Sequence, residues 1–185
     1  VVNVYLVNPS TPDNVKYNLF KRINTGGLAL EAQEIRNALF QGKATQFLQN
    51  CAGLPCFVEA TGGSVKSERM LDREFVLRYV SFCYLDLNLY SGNIDDFLNE
   101  GMKYLNRAGE EELEKIEEEF KSVMLNMYNL MGRNTFRKIC YDGRRRPINK
   151  VIYESWCYVI KNLPQPDVNR LIKYKEKVQK KYMDL

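Results

Sequence analysis

The run MLDREFVLRYVSFCYLDLN, residues 70–88, most constrains what this chain can become. Leu71, Phe75, Val76, Leu77, Tyr79, Val80, Phe82 and Leu85 fall nearly all the way round a helical wheel. A helix that is apolar on every side has no face to give to water, so it has to lie at the centre of a larger packing. Arg78 and Asp86 interrupt it, so neither it nor any other segment reads as a membrane span. Glu74 and Arg78, four apart, are placed to pair along it. Asp72, Glu74 and Asp86 are interleaved with Arg73 and Arg78, which favours ion pairing over a metal-binding or catalytic carboxylate cluster.

The remaining segments supply helices to surround that centre. Thr11 suits an N-cap, Pro12 the first helical position and Asp13 the helix dipole; Val15, Leu19 and Ile23 then recur every fourth residue as one apolar face. A second helix is expected over 31–41, with Ala32, Ile35, Ala38 and Leu39 buried, Gln33 and Asn37 on the polar face, Arg36 beside the stripe and Gly42 just past the end. A short helix over 44–51 is broken by Gly53 and Pro55, and ATGGSVKSER, 60–69, reads as a polar loop. Asn93 caps a helix carrying Ile94, Phe97, Leu98, Met102 and Leu105, with Asp95 and Asp96 favouring its dipole. A glutamate-rich segment opens a long amphipathic helix with Leu113, Ile116, Phe120, Val123, Met124, Met127 and Met131 inside, closed by Gly132 and Asn134. Methionines at this spacing read as core filling before a partner groove. A helical turn and a basic loop around 142–143 lead to a helix over 149–162, with Val151, Ile152, Trp156, Val159 and Ile160 apolar. LPQPD links it to a basic final helix over 167–182. The opening VVNVYLV reads as a strand near 2–7 with no hairpin partner. The expected fold class is mainly α: a bundle of about seven or eight helices with one N-terminal β-strand.

A length of 185 residues suffices for one domain with an appendage. Because the chain opens on an orphan strand and has no initiator Met, it is expected to be the C-terminal part of a longer protein. The net charge of +4 is uneven: seven glutamates fall within 110–119, while Arg144, Arg145, Arg146 and the tail KYKEKVQKK are basic. Such runs are usually solvated faces; the alternative is a nucleic-acid contact at Arg144–Arg146 with Tyr141 or Tyr182 stacking on bases. Five cysteines, an odd count with no C-x-x-C pair, point to a reduced, cytoplasmic protein. Histidine is absent, which removes His–Cys zinc sites, His-metal nuclease chemistry and His acid–base catalysis from this chain. No catalytic residue and no metal ligand set is assigned.

The candidate site is RINTGGLALEAQEIRNALFQG, residues 22–42. The backbone N–H groups of Thr25, Gly26 and Gly27, the positive end of the following helix and the Arg22 guanidinium would converge on an anion. Arg22 suits a phosphate; Asn24, Gln33 or Asn37 would read a base, sugar or water; Arg36 flanks them, and Glu34 is the nearest acid. With no nucleophile or evident general base, the turn would bind a nucleotide without hydrolysing it. The same residues serve equally as a structural corner, in which Gly26 and Gly27 turn the chain and Arg22 and Arg36 satisfy helix ends.

LFKRINTGGLALEAQEIRNALFQG, followed by RMLDREFVLRYVSF, YSGNIDDFLNEGM and NTFRKICYDGRRRPINKVIYESW, resembles, over residues 2–162, the GmrSD-type restriction protein N-terminal domain family, also called domain of unknown function two-six-two. The resemblance implies that 1–27 is the strand, helix and RINTGG turn left of a ParB/sulfiredoxin-like half whose α+β sheet is incomplete here, that 28–162 is the helical domain, and that 163–185 is a linker and basic helix. It implies a bacterial antiphage protein whose full-length form couples nucleotide hydrolysis, with an NTP and Mg, to foreign-DNA recognition or cleavage. This part would supply scaffold and one wall of the nucleotide or DNA site, hold no cofactor and be inactive alone. Its partner would be the missing ParB-like half or another copy of the chain, and DNA. Two departures stand out: Glu31 replaces the family's frequent Asn at the helix start, and the Asp-Gly-Gln-Gln-Arg motif is nowhere in the chain. A fused His-Asn-His nuclease domain is likewise absent from a chain without histidine. A different class of function, a non-enzymatic helical module that binds protein or DNA, is the alternative.

Overall fold

A computed structural model describes residues 6–8, 10–23 and 29–184. Among them are ten α-helices: α1 Asp13–Ile23, α2 Ala32–Leu39, α3 Lys43–Ala52, α4 Pro55–Thr61, α5 Leu71–Tyr84, α6 Ile94–Arg107, α7 Glu110–Met131, α8 Lys150–Asn162, α9 Gln165–Lys173 and α10 Lys175–Met183. The fold class is mainly α, as expected. The β pairing among the described residues is one isolated antiparallel bridge between Arg137 and Ile148. The strand expected near 2–7 lies largely outside the described residues, and Leu6 and Val7 adopt no regular structure.

Helix α5 is the centre. Phe75, Val76, Leu77, Tyr79 and Val80 are all buried, and α3, α6 and α8 pack around them. The reason is the one legible in its composition: no side of α5 carries enough polar surface to face water. Helix α7 lies against α4 and α8, with Ile116, Phe120, Val123, Met124, Met127 and Met131 buried in the same core. Tyr79 meets Phe120 edge-on at 4.9 Å, and Tyr153 of α8 meets Phe75 at 5.0 Å and Phe136 at 4.7 Å. These tilted aromatic contacts knit the central helix to both neighbours. Helices α9 and α10 close over α7, where Val168 is buried and the Gln179 amide donates to the Leu130 carbonyl at 2.6 Å. Asn93 caps α6 through its side chain, as its position suggested, and Asn149 caps α8 in the same way.

Several local expectations are corrected. Pro55 opens a helix, α4, because the first helical position needs no backbone N–H; it does not merely end α3. The basic tail divides at Tyr174 into α9 and α10. In α8 the buried line is Tyr153, Cys157 and Ile160, leaving Val151 and Val159 exposed. In α2 the inward face holds Gln33, Ile35 and Arg36, while Ala38 is exposed. In α1 the periodic face of Val15, Leu19 and Ile23 is exposed, and the buried residue is Tyr17.

Candidate functional site

The corner between α1 and α2 is built from the inside outward. Arg22 is exposed in the last turn of α1; Asn24, Thr25, Gly26 and Gly27 lie outside the described residues. Beyond the corner, α2 begins with Glu34 folding back so that its carboxylate accepts the Glu31 N–H at 2.7 Å. It is one half of a reciprocal capping box, in which the Glu31 side chain accepts the Glu34 N–H in turn, so Glu31 caps the helix although it is not the Asn frequent in the family that the sequence resembles. Glu34 is also paired with Arg69 at 2.9 Å, and Arg69 reaches on to the Ala29 carbonyl. The start of α2 is thereby tied to the segment that enters α5.

Behind this start lies a polar interior. The Arg36 side chain is 1% exposed. It donates to the Gln33 amide oxygen at 3.3 Å and to the Asp95 carboxylate of α6, and it lies 5.7 Å from the centre of the Tyr17 ring. Lys21 of α1 reaches the same Asp95 at 3.3 Å. Asp95 therefore clamps α1 and α2 onto the first turn of α6. Burial, opposed by the Arg36 charge, pushes the Tyr17 hydroxyl up to about 12, so it stays protonated at neutral pH. Gln33 Nε2, Arg36 Nε and Asn37 Oδ1 are buried with no hydrogen-bond partner among the described residues.

Of the residues singled out in the sequence, Gln33, Glu34, Arg36 and Asn37 thus come together as the inner support of the corner, and Arg22 stands at its rim. Tyr17, Arg69 and Asp95 complete the constellation. Only Asp95 carried a local signal, its place after the Asn93 cap, and that signal concerns the helix dipole rather than Arg36. On the outer side of α1 is a shallow apolar cavity of about 320 Å³ lined by Val7, Lys16, Leu19, Phe20, Ile23 and Leu39.

No family model, no curated protein and no solved structure matches this chain.

The basic loop is less uniform than its sequence. Arg146 is paired with Asp142 at 2.5 Å, Arg145 folds back so that its Nε donates to the Arg133 carbonyl at 3.2 Å, and Arg144 is exposed. Tyr141 is exposed and its hydroxyl bonds to Asp184; Tyr182 packs on Trp156 with ring centres 6.0 Å apart. Among the described residues no cluster of His, Cys, Asp or Glu is arranged to hold a metal, and no helix is long and apolar enough to cross a membrane. The cysteines are free thiols; burial pushes Cys51 and Cys83 up to about 12, which removes them as nucleophiles at neutral pH.

Proposed function

We propose that this chain is the helical part of a GmrSD-like restriction protein in which the α1–α2 corner forms one wall of a nucleotide or DNA site. The observation that carries this reading is the outer side of α1. Leu19, Phe20 and Ile23 are exposed, Ile23 to 63%, beside Arg22, while Tyr17 and Lys21 anchor the helix to the bundle. A fixed helix with an apolar outer face and a cation at its end suits docking of a second body that completes an anion site. In this proposal the second body is a ParB-like half, in the same protein or another copy. It would bring the nucleotide-hydrolysing residues and, with a bound NTP and Mg, the chemistry that drives action on foreign DNA. Arg22 would hold a phosphate, and the Asp95 clamp would keep the corner in place. In this proposal the residues of this chain bind and orient.

Calorimetric titration of ATP and of GTP with Mg tests the reading, on this chain and on a longer protein that includes a ParB-like half. The expected result is binding by the longer protein alone, weakened about tenfold or more by Arg22→Ala with little change in melting temperature. Full affinity in Arg22→Ala makes the corner structural. Binding of another protein to α1 with no nucleotide dependence favours the helical interaction module instead.

A further inference from the structure

A second site lies on elements that include neither α1 nor α2. Residues 133–146 carry Arg133, Arg137, Arg144, Arg145 and Arg146, and among the described residues only Arg146 has a carboxylate within ion-pair reach. Arg137 is 2% exposed. Its Nη1 donates to the Thr135 carbonyl at 2.9 Å, and its Nη2 to the Thr61 carbonyl at 2.9 Å and the Ser64 hydroxyl at 2.6 Å. Its Nε is buried with no acceptor. Burial and then the nearby Arg145 charge press the Arg137 pKa downward, the direction expected of a cation short of negative charge.

Arg145 lies across Gly62, in a space that any Cβ at that position would occupy, and Arg133 donates to the Gly143 carbonyl at 3.0 Å. Arg137 and Arg145 thus meet on the turn that ends α4, and Arg133 and Arg145 bond to the carbonyls of Gly143 and Arg133, all of these acceptors being neutral oxygens. The C-terminus of α4 offers only about half a unit of negative charge. That does not balance a buried cation crowded by others of its own sign. Arg133 and Arg144 are exposed, and each retains donors that no acceptor among the described residues takes. They border an open cavity of about 370 Å³ shared with Asn134, Tyr141, Gly143 and Gln179.

We propose that this arginine cluster is a phosphate-binding site, in which Arg133 and Arg144 on the cavity wall grip the phosphate oxygens, while Arg145, folded onto Gly62, and the buried, incompletely bonded Arg137 add positive charge behind them. Planar guanidinium forks match phosphate oxygens in pairs, and two such forks on the wall of one cavity suit a tetrahedral anion. The bound phosphate supplies the negative charge that the fold leaves out. A phosphate in a nucleic-acid backbone and a free phosphate present the same chemistry to this site.

The test uses the whole chain with two probes: inorganic phosphate, followed by thermal shift and calorimetry, and a fluorescein-labelled DNA duplex, followed by anisotropy at low and physiological salt. The variants are Arg144→Gln with Arg145→Gln, and a control of equal charge, Arg170→Gln with Lys173→Gln, on the exposed side of α9. The loop variant is expected to weaken binding about tenfold or more, and the control less than about twofold. Arg144→Glu, at an exposed position, repeats the measurement if the double variant loses structure. Duplex binding that inorganic phosphate displaces assigns the site to a nucleic-acid backbone; phosphate binding without duplex binding assigns it to a free phosphate. Binding of neither probe, or equal weakening by loop and control variants, overturns the proposal.

Discussion

Arg36 and Arg137 head the fully buried side chains among the described residues, and their surroundings treat charge differently. Arg36 has Asp95; Arg137 has carbonyls and a hydroxyl. A buried cation deprived of its only carboxylate costs far more than a surface pair is worth. Asp95→Ala is therefore expected to lose about 3 kcal/mol in urea unfolding, the low end for a buried pair because a quarter of the Asp95 side chain, 24%, meets solvent. Asp96→Ala, which removes only the carboxylate that accepts from Asn93, should lose under about 1 kcal/mol. Arg36→Met should cost less than Asp95→Ala, since Asp95 would keep Lys21 and its partial solvation. The reverse ranking would show that packing of the Arg36 stem, not its charge, holds the corner.

Between elements, α5 and α6 pack closely at Gly101. A Cβ on Gly101 would collide with the Ser81 Oγ and come within 3.0 Å of Leu77 Cδ1. Helix propensity alone would make Gly101→Ala stabilising by about 1 kcal/mol; overpacking costs about 1–3 kcal/mol and decides the sign. The variant should unfold at lower urea, and a gain in stability would show that α6 shifts freely. Leu77→Ala, at the same contact and fully buried, should lose about 2–5 kcal/mol. The α5–α8 seam is polar at one end: Arg78 pairs with Glu74 at 2.8 Å and with Glu154, and Lys150 reaches Glu74 at 2.9 Å. Burial works to raise the Glu74 carboxyl, but the Lys150 hydrogen bond and the Arg78 charge prevail and hold it below the ordinary carboxylate range. A depressed acid adds stability above its unfolded pKa and loses it as pH falls through the folded one. Glu74→Gln should thus cost about 2 kcal/mol at neutral pH, with the gap to the parent closing as acid protonates Glu74. Glu154 runs the other way: burial, outweighing Arg78, raises its pKa, so its charge opposes folding at neutral pH and protonation relieves it. A gap that stays constant to low pH would exclude the pairing.

Across the whole molecule, one core joins α3, α5 and α8, and each contributes a thiol: Cys51, Cys83 and Cys157. Burial raises all three thiol pKa values; Cys51 and Cys157 are fully buried, so neither access nor thiolate is available to them in the folded state, while Cys83 is partly buried. Iodoacetamide mapping at neutral pH should find Cys51 and Cys157 alkylated together, only across the unfolding transition. Labelling of Cys157 well before Cys51 would mean that α8 detaches from the bundle as a separate unit.

How much of this was legible depends on the range of the interaction. The central place of α5 follows from residues 70–88 alone, because a helix without a polar side has nowhere else to go. The inward methionines of α7 and the Asn93 cap of α6 are equally local, one a periodicity and the other a side chain bonding its own helix. Helix α4 was hidden because Pro55 after Gly53 is as good a stop as a start until the next turn is seen to close. The candidate corner was singled out by glycines that lie outside the described residues and by Arg22, while the inward face of α2 was not legible, since Asp95 lies 59 positions away from Arg36. Counting apolar residues puts Ala38 inside and Arg36 at the edge; the folded chain does the opposite. Local periodicity states which segments can bury a face. Whether a charge is buried, and which helix face is left open, is decided by a distant partner that compensates the loss of water, and that partner exists only in the tertiary structure.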